Sequence, residues 1–349
     1  MKNIYIASTH PNVGKTTFSL ALALRLRKEG KNVGYFKPIK DRRDDEDAEH
    51  AKQLLGMAED PSVICPAVVT EFEYDMSDAQ VEEVRKKIKD AYVKVRENYD
   101  FLIIESCRTM NYLSFLKLSS RELVEMLDAK VLFLVSGKSE QEIDAFLLGL
   151  SYFNDLHLPI LGGVLTLVPS QLEERFRTKI LPVLTDQHGI DIFGVIPKKQ
   201  VLIAPTVGEV AEALQARVLA GKEYMHKLVE DYQVGAMEEE SALKFFRKAT
   251  NQAVITGGDR PSLAVAAMET CCLACVIFTG ELYPPASVLA RAEDKQVPIL
   301  LVGGDTYSVV SELTTRPIQG LLHPDQTKKL DSWSEIMDTI DYAKFVDQL

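Results

Sequence analysis

The stretch STHPNVGKTT, Ser8–Thr17, follows a short apolar run, NIYIAS, and leads into the helix-period segment FSLALALRL. Strand, loop and helix in that order bring backbone N–H groups and the positive end of a helix dipole to one point, which suits a phosphate. Its close, Gly14-Lys15-Thr16, offers an ammonium for the β and γ phosphates and a hydroxyl for Mg²⁺. Thr9 stands where a common phosphate-binding loop has its first glycine. The reading is a loop in which Thr9, Asn12, Val13, Gly14, Lys15, Thr16 and Thr17 bind ATP; the alternative is a helix cap without a ligand.

Outward from this loop, short apolar runs alternate with helix-period segments. Candidate strands are NVGYFKPI, DFLIIES, KVLFLVS, ILGGVLTLV and DIFGVIP, with helices expected over 16–29, 78–98, 122–127 and 171–188. The rhythm is βαβ, and nearly all-apolar strands indicate a parallel sheet covered on both faces. After VGEV a helix is expected to run to Gly221, and a second α/β rhythm follows through QAVITGGDR, CVIFTGELYPP and PILLVGGDTYSVVSEL. The expectation is an α/β protein with a P-loop NTPase-type domain over 1–220 and a smaller α/β domain over 221–349. A terminal helix or partly ordered tail carries Trp333.

A magnesium nucleotide also needs hard oxygen ligands. Glu105 ends the strand DFLIIES, at the carboxyl edge where open parallel sheets place ligands, and is a candidate for the metal, the alternative being a helix cap. Asp47 is the second candidate for the metal, although the run Asp44, Asp45, Glu46, Asp47 and Glu49 also reads as a solvated loop. Lys37, in VGYFKPIK where Pro38 stops the second strand, points to the same crevice as Lys15 and is a candidate for stabilising a transferred phosphoryl group or a carboxylate, the alternative being a surface lysine. In the second domain the turns TGGDR and VGGDTYS place Gly258, Asp259, Arg260 and Asp305 at one sheet edge, either as an effector crevice or as two ordinary strand-to-helix turns. Gly257 and Gly258 would allow the tight turn, with Asp259 capping the next helix.

The bulk composition narrows the partners. A net charge of −11 argues against nucleic acid and anionic membranes, and no apolar run approaches the ~20 residues of a membrane span. The N-terminus reads as having no signal peptide, and five cysteines in that context read as reduced, so a cytoplasmic location is expected. Cys271, Cys272 and Cys275 form a CCxxC without an apparent fourth ligand, and packing is the preferred reading over zinc.

In order and spacing, STHPNVGKTTFSLALALRL, VGYFKPIK, DFLIIES, GGVLTLV and FGVIP resemble the dethiobiotin synthetase branch of P-loop proteins. IPKKQVLIAPTVGEV, VGAM, ITGGDR and DTYSVVSEL resemble the DRTGG domain. Together they are similar to the N-terminal, non-catalytic half of long bacterial phosphotransacetylases. The resemblance aligns Ser8 with the loop glycine. It implies Lys15 and Thr16 at phosphate and Mg²⁺, Glu105 and Asp47 at the metal, and Lys37 on the substrate side. The chain departs from the dethiobiotin synthetase pattern at Pro11 and Asn12, at Ile39, Lys40 and Asp41, at Ser106, Cys107 and Arg108 after the strand-end acid, and near Thr166, where an asparagine would read the base.

The resemblance implies an ATP-binding regulatory or metabolite-sensing protein, forming a homodimer or higher homo-oligomer and binding a small-molecule effector. The alternative is an ATP-dependent carboxylase or ligase of the dethiobiotin synthetase type. Weak ATP turnover is compatible with both, whereas acetyl transfer is not expected of this sequence alone.

Overall fold

The computed structural model describes residues 2–43, 45–70, 73–248, 250–270, 272–315 and 327–349. Asp44 and Cys271 lie outside them. The chain forms two compact units, Met1–Lys199 with Leu322–Leu349, and Gln200–Leu321.

The first unit is built from β1 (Lys2–Ser8), α1 (Lys15–Lys28), β2 (Val33–Phe36), β3 (Ile39–Lys40), α2 (Asp47–Leu55), α3 (Pro61–Ile64), β4 (Ala67–Val68), α4 (Asp78–Arg96), β5 (Phe101–Glu105), α5 (Ser120–Leu127), β6 (Lys130–Ser136), α6 (Gln141–Asp155), β7 (Ile160–Val168), α7 (Ser170–Arg175) and β8 (Ile192–Pro197). Its six-stranded sheet has the order β2-β5-β1-β6-β7-β8 and is parallel throughout, while β3 and β4 form a separate parallel pair. With β1 inside and β5 and β6 on either side of it, the chain changes direction at the carboxyl ends of these strands, where ligands bind in open α/β sheets.

The strands are apolar because both faces are covered. Tyr5, Tyr35, Phe36, Phe133 and Phe193 are fully buried. Phe133 from β6 meets Phe146 and Phe153 of α6 edge-on, with ring centroids 5.7 and 5.3 Å apart, geometry worth about 1 kcal/mol per pair beyond area burial. The helix expected over 171–188 starts as α7 and continues through π-helical turns at Phe176–Ile180 and Val183–Gln187.

In the second unit, α8 (Gln200–Ile203) and α9 (Val207–Ala213) precede β9 (Arg217–Ala220), β10 (Asp231–Val234), α10 (Glu239–Phe246), β11 (Gln252–Gly257), α11 (Pro261–Met268), β12 (Leu273–Thr279), α12 (Ala286–Asp294), β13 (Ile299–Leu301) and α13 (Thr306–Thr315). The sheet order is β10-β11-β12-β13-β9, with β9 antiparallel to β13. Successive strand residues alternate between two cores. Val254, Val276 and Phe278 pack with Phe246, Leu263 and Val288, while Ile255, Cys275 and Ile277 pack with Val207, Val210 and Leu313. Cys275 is thus a core residue, and burial pushes its thiol pKa up to about 12.

Two sequence expectations change here. The helix expected to reach Gly221 stops at Ala213, because Arg217–Ala220 pairs as a strand with β13. Arg217–Ala220 therefore belongs to the second sheet, and the second unit begins at Gln200 in place of residue 221. The C-terminal helices α14 (Thr327–Asp338) and α15 (Tyr342–Asp347) belong to the first unit. There the Asp341 amide donates to the Phe193 carbonyl at 2.7 Å, Phe345 stacks edge-on against Phe193, and Trp333 is buried. Apolar residues on a charged tail read as amphipathic, but only the folded surface beside β8 determines what they cover.

Candidate functional site

Ser8–Thr17 joins the end of β1 to α1. Asn12 and Gly14 have φ of 57° and 85°. Such left-handed conformations let the loop curl around a point, and glycine adopts them at little cost. Gly14 precedes α1, which has no side-chain cap, and its carbonyl accepts from the Phe18 amide at 2.9 Å. The first-turn N–H groups of such a helix look to another acceptor. The buried Thr166 hydroxyl donates to the Val13 carbonyl at 3.1 Å and to that of Val135 at 3.4 Å. Its role in this geometry is to tie the loop to β6 and β7.

The Lys15 ammonium donates to Ser8 Oγ at 3.2 Å and to the Arg108 carbonyl oxygen. Burial lowers its pKa, partly offset by Glu105. Ser8 also donates to the His10 carbonyl at 2.8 Å, so this serine organises the loop where a glycine would offer no side chain. Thr9 lies beside it, with Oγ1 3.0 Å from His10 Nδ1.

Thr16 is the meeting point of the acidic groups. Its Oγ1 lies 3.1 Å from Asp47 Oδ2 and 2.7 Å from Glu105 Oε1. The other Glu105 oxygen accepts from the buried Tyr35 hydroxyl at 2.6 Å. Lys37 donates to Asp45 Oδ2 at 2.6 Å and also to Asp47 Oδ2. Asp45 Oδ1 in turn accepts from the Asp47 amide at 3.0 Å, at the start of α2. Sequence thus brings Lys15, Thr16, Lys37, Asp47 and Glu105 to one place, and the structure adds Asp45, Tyr35 and the Arg108 carbonyl.

Electrostatics follow from burial. Glu105 is raised to about 7 from an ordinary value near 4.5, first by burial and then by neighbouring Asp47, against the opposing pull of Lys37. Burial pushes Asp47 upward too, but the Lys37 charge and hydrogen bond outweigh it and hold the carboxyl below its ordinary range. Burial likewise opposes the charge on Lys37, and the surrounding Asp47, Glu105 and Asp45 overcome that effect to hold its pKa well above the ordinary value.

This donor set fits magnesium. Among the described residues no group of three or more His, Cys, Asp or Glu side chains gathers as a metal cage. One hydroxyl beside two carboxylates is instead the kind of oxygen set that Mg²⁺ uses together with phosphate oxygens and water. Thr16, Asp47 and Glu105 can hold the ion, and Lys15 can meet the phosphates.

The second unit gathers less chemistry. Its two turns lie at the carboxyl edge of β11 and β13, separated by β12. Gly258 is buried against the Leu282 carbonyl, whereas Asp259 and Arg260 are exposed. Asp259 does not cap α11. That helix starts at Pro261 with Arg260 at the cap position, and the Asp259 carboxylate folds back over Gly257. Asp305 does cap its helix, accepting from the Ser308 amide at 2.7 Å, and this hydrogen bond lowers its pKa. The Thr279 and Thr306 hydroxyls lie 2.8 Å apart at the same edge.

A parallel sheet flanked by helices, with Gly14-Lys15-Thr16 at the end of its internal β1, defines a fold of the P-loop NTPase type. The chain belongs to the AAA domain family designated AAA_26, whose model matches residues 2–206, and residues 209–315 match the DRTGG domain. It is similar to phosphate acetyltransferase of Nitrosomonas europaea, 22% identical over 90% of this chain and 47% of that protein. It is also similar to the ATP-dependent dethiobiotin synthetase of Clostridium perfringens, 29% identical over 61% of this chain and 98% of the synthetase. The chain therefore spans about half the length of the phosphate acetyltransferases it matches. A structure of cobyrinic acid a,c-diamide synthase from Mycobacterium smegmatis, with bound ATP analogue and magnesium, aligns with 57% of this chain and 88% of its own at 18% identity and a TM-score of 0.38. Among the described residues no helix is long and apolar enough to cross a membrane.

Proposed function

We propose that the first unit binds magnesium ATP and that the protein acts in regulation or metabolite sensing, with a small effector meeting the DRTGG unit. The observation carrying the nucleotide reading is the convergence on Thr16 Oγ1 of Asp47 and Glu105, one residue after Lys15. In this reading Lys15, with the loop from Thr9 to Thr17, binds the phosphates, while Thr16, Asp47 and Glu105 hold Mg²⁺. Bound magnesium would neutralise phosphate charge, and the chain's own groups would position the nucleotide.

The placement of the cations favours sensing over ligation. Lys37 is engaged by Asp45 and Asp47, and Arg108 is paired with Asp41 at 3.3 Å. Lys37 is the residue that the resemblance puts on the substrate side. Calorimetry with Mg·ATP tests the nucleotide reading; no detectable heat or affinity at millimolar nucleotide would defeat it. Addition of small metabolites to the nucleotide-bound protein, read by a change in Mg·ATP affinity, tests the sensing role.

A second reading, an ATP-dependent carboxylase or ligase, is favoured by the similarity to dethiobiotin synthetase along nearly that enzyme's full length. Phosphate release stimulated by an amine with bicarbonate would establish it in place of sensing. We further place the protein in the cytoplasm as a homodimer or higher homo-oligomer, which light scattering of the purified chain tests.

A further inference from the structure

Lys37, Asp45 and Asp47 form a buried triad whose wiring differs from that of a lysine awaiting a substrate. Their side chains are 6%, 6% and 13% exposed. The Lys37 ammonium has three donors, and two are spent on Asp45 and Asp47. Both Asp45 oxygens are occupied as well, one by Lys37 and one by the Asp47 amide. The Asp45 backbone is fixed by Lys40, which donates to its carbonyl at 2.7 Å. Asp45 therefore fastens the end of β2 to the first residue of α2, and the residue so fastened is the metal candidate Asp47.

We infer that Asp45 is a positioning residue that captures Lys37 as a built-in counter-ion for the magnesium carboxylates, making the ammonium a competitor of the metal for Asp47 in place of a contact for a second substrate. This deepens the nucleotide reading and rests on it. Two buried carboxylates close together repel and are costly to desolvate unless a cation sits between them. Lys37 supplies that cation within the chain itself. A divalent ion arriving at Thr16, Asp47 and Glu105 would take over part of this duty, so metal affinity would be set by how firmly Asp45 holds the lysine.

The full-length protein and its Lys37→Met and Asp45→Asn variants distinguish these roles by thermal unfolding during titration with MgCl₂ alone. Lys37→Met should unfold at lower temperature without metal, and Mg²⁺ should restore it with a midpoint about tenfold below that of wild type, a change equivalent to about 1.4 kcal/mol. Asp45→Asn removes the charge that shares the ammonium with Asp47 and should raise the Mg²⁺ midpoint at least about threefold, within the range of coupling between contacting residues. A Lys37→Met protein with no enhanced response to Mg²⁺ would overturn the inference, as would loss of its Mg·ATP affinity without that enhancement. If Lys37→Met does not fold, an unchanged or lower Mg²⁺ midpoint in Asp45→Asn overturns it equally. Failure of wild type to bind Mg·ATP would defeat the nucleotide reading, while the MgCl₂ titrations would still report on the counter-ion.

Discussion

Thr16 Oγ1 and Glu105 Oε1 lie 2.7 Å apart although 89 residues separate them in the chain. The first turn of α1 and the carboxyl end of β5 thus share one polar centre within an apolar sheet.

Lys15→Ala should weaken Mg·ATP binding by about a hundredfold, since a charge-assisted phosphate contact is lost from a buried position. Isothermal calorimetry with wild type alongside checks this. Equal affinities would show that the Lys15 ammonium stays with Ser8 and the Arg108 carbonyl when nucleotide is present.

Glu105 should make the metal-free protein less stable as pH rises. Its folded pKa is raised to about 7 from near 4.5, so the folded state holds a proton that the unfolded chain releases. The stability from that proton is complete below about 4.5 and is lost as pH rises through about 7, following linkage between proton uptake and folding. Thermal melts from pH 4.5 to 8 in chelator should show a fall in wild type relative to Glu105→Gln. Parallel profiles would contradict the assignment.

Tyr35→Phe should destabilise the first unit by about 1–2 kcal/mol, because one Glu105 oxygen loses its buried donor. Urea denaturation measures the change. The same variant should require more Mg²⁺ for nucleotide binding, since Glu105 would no longer be held by its far oxygen.

Asp305→Ala should cost the second unit stability through loss of the α13 cap, read as faster amide exchange in the first turn of that helix. Hydrogen exchange at the amides of 306–309 localises the effect. Gly258→Ala should cost more, about 3 kcal/mol, because its new Cβ would overlap the Leu282 carbonyl oxygen. A neutral result at Gly258 would mean that the segment carrying Leu282 moves readily.

The parts of the fold readable from sequence are those set by neighbouring residues. Apolar runs ending in Ser8 and Glu105 mark strand ends, and Gly14-Lys15-Thr16 directly after the first marks the loop and helix start. The β-then-helix period yields the parallel sheet without knowledge of any distant contact. By the same local reasoning Asp47 could be named as a metal candidate, but Asp45, two positions away in the same acidic run, had no separate signal. Nor did Tyr35, whose place in an apolar strand marks burial but not the partner of its hydroxyl.

Local pattern along the chain already sets an ammonium, a hydroxyl and a strand-end carboxylate at the edge of a parallel α/β sheet. Folding in three dimensions turns Lys37 to two aspartates, closes the second sheet with β9 antiparallel, and packs α15 on β8 and α14 on α1. Each of these depends on which surface a side chain or strand edge meets once the chain has folded back on itself. Burial then selects among chemically equivalent neighbours, because a charge or an unpaired backbone group withdrawn from water must find its partner there.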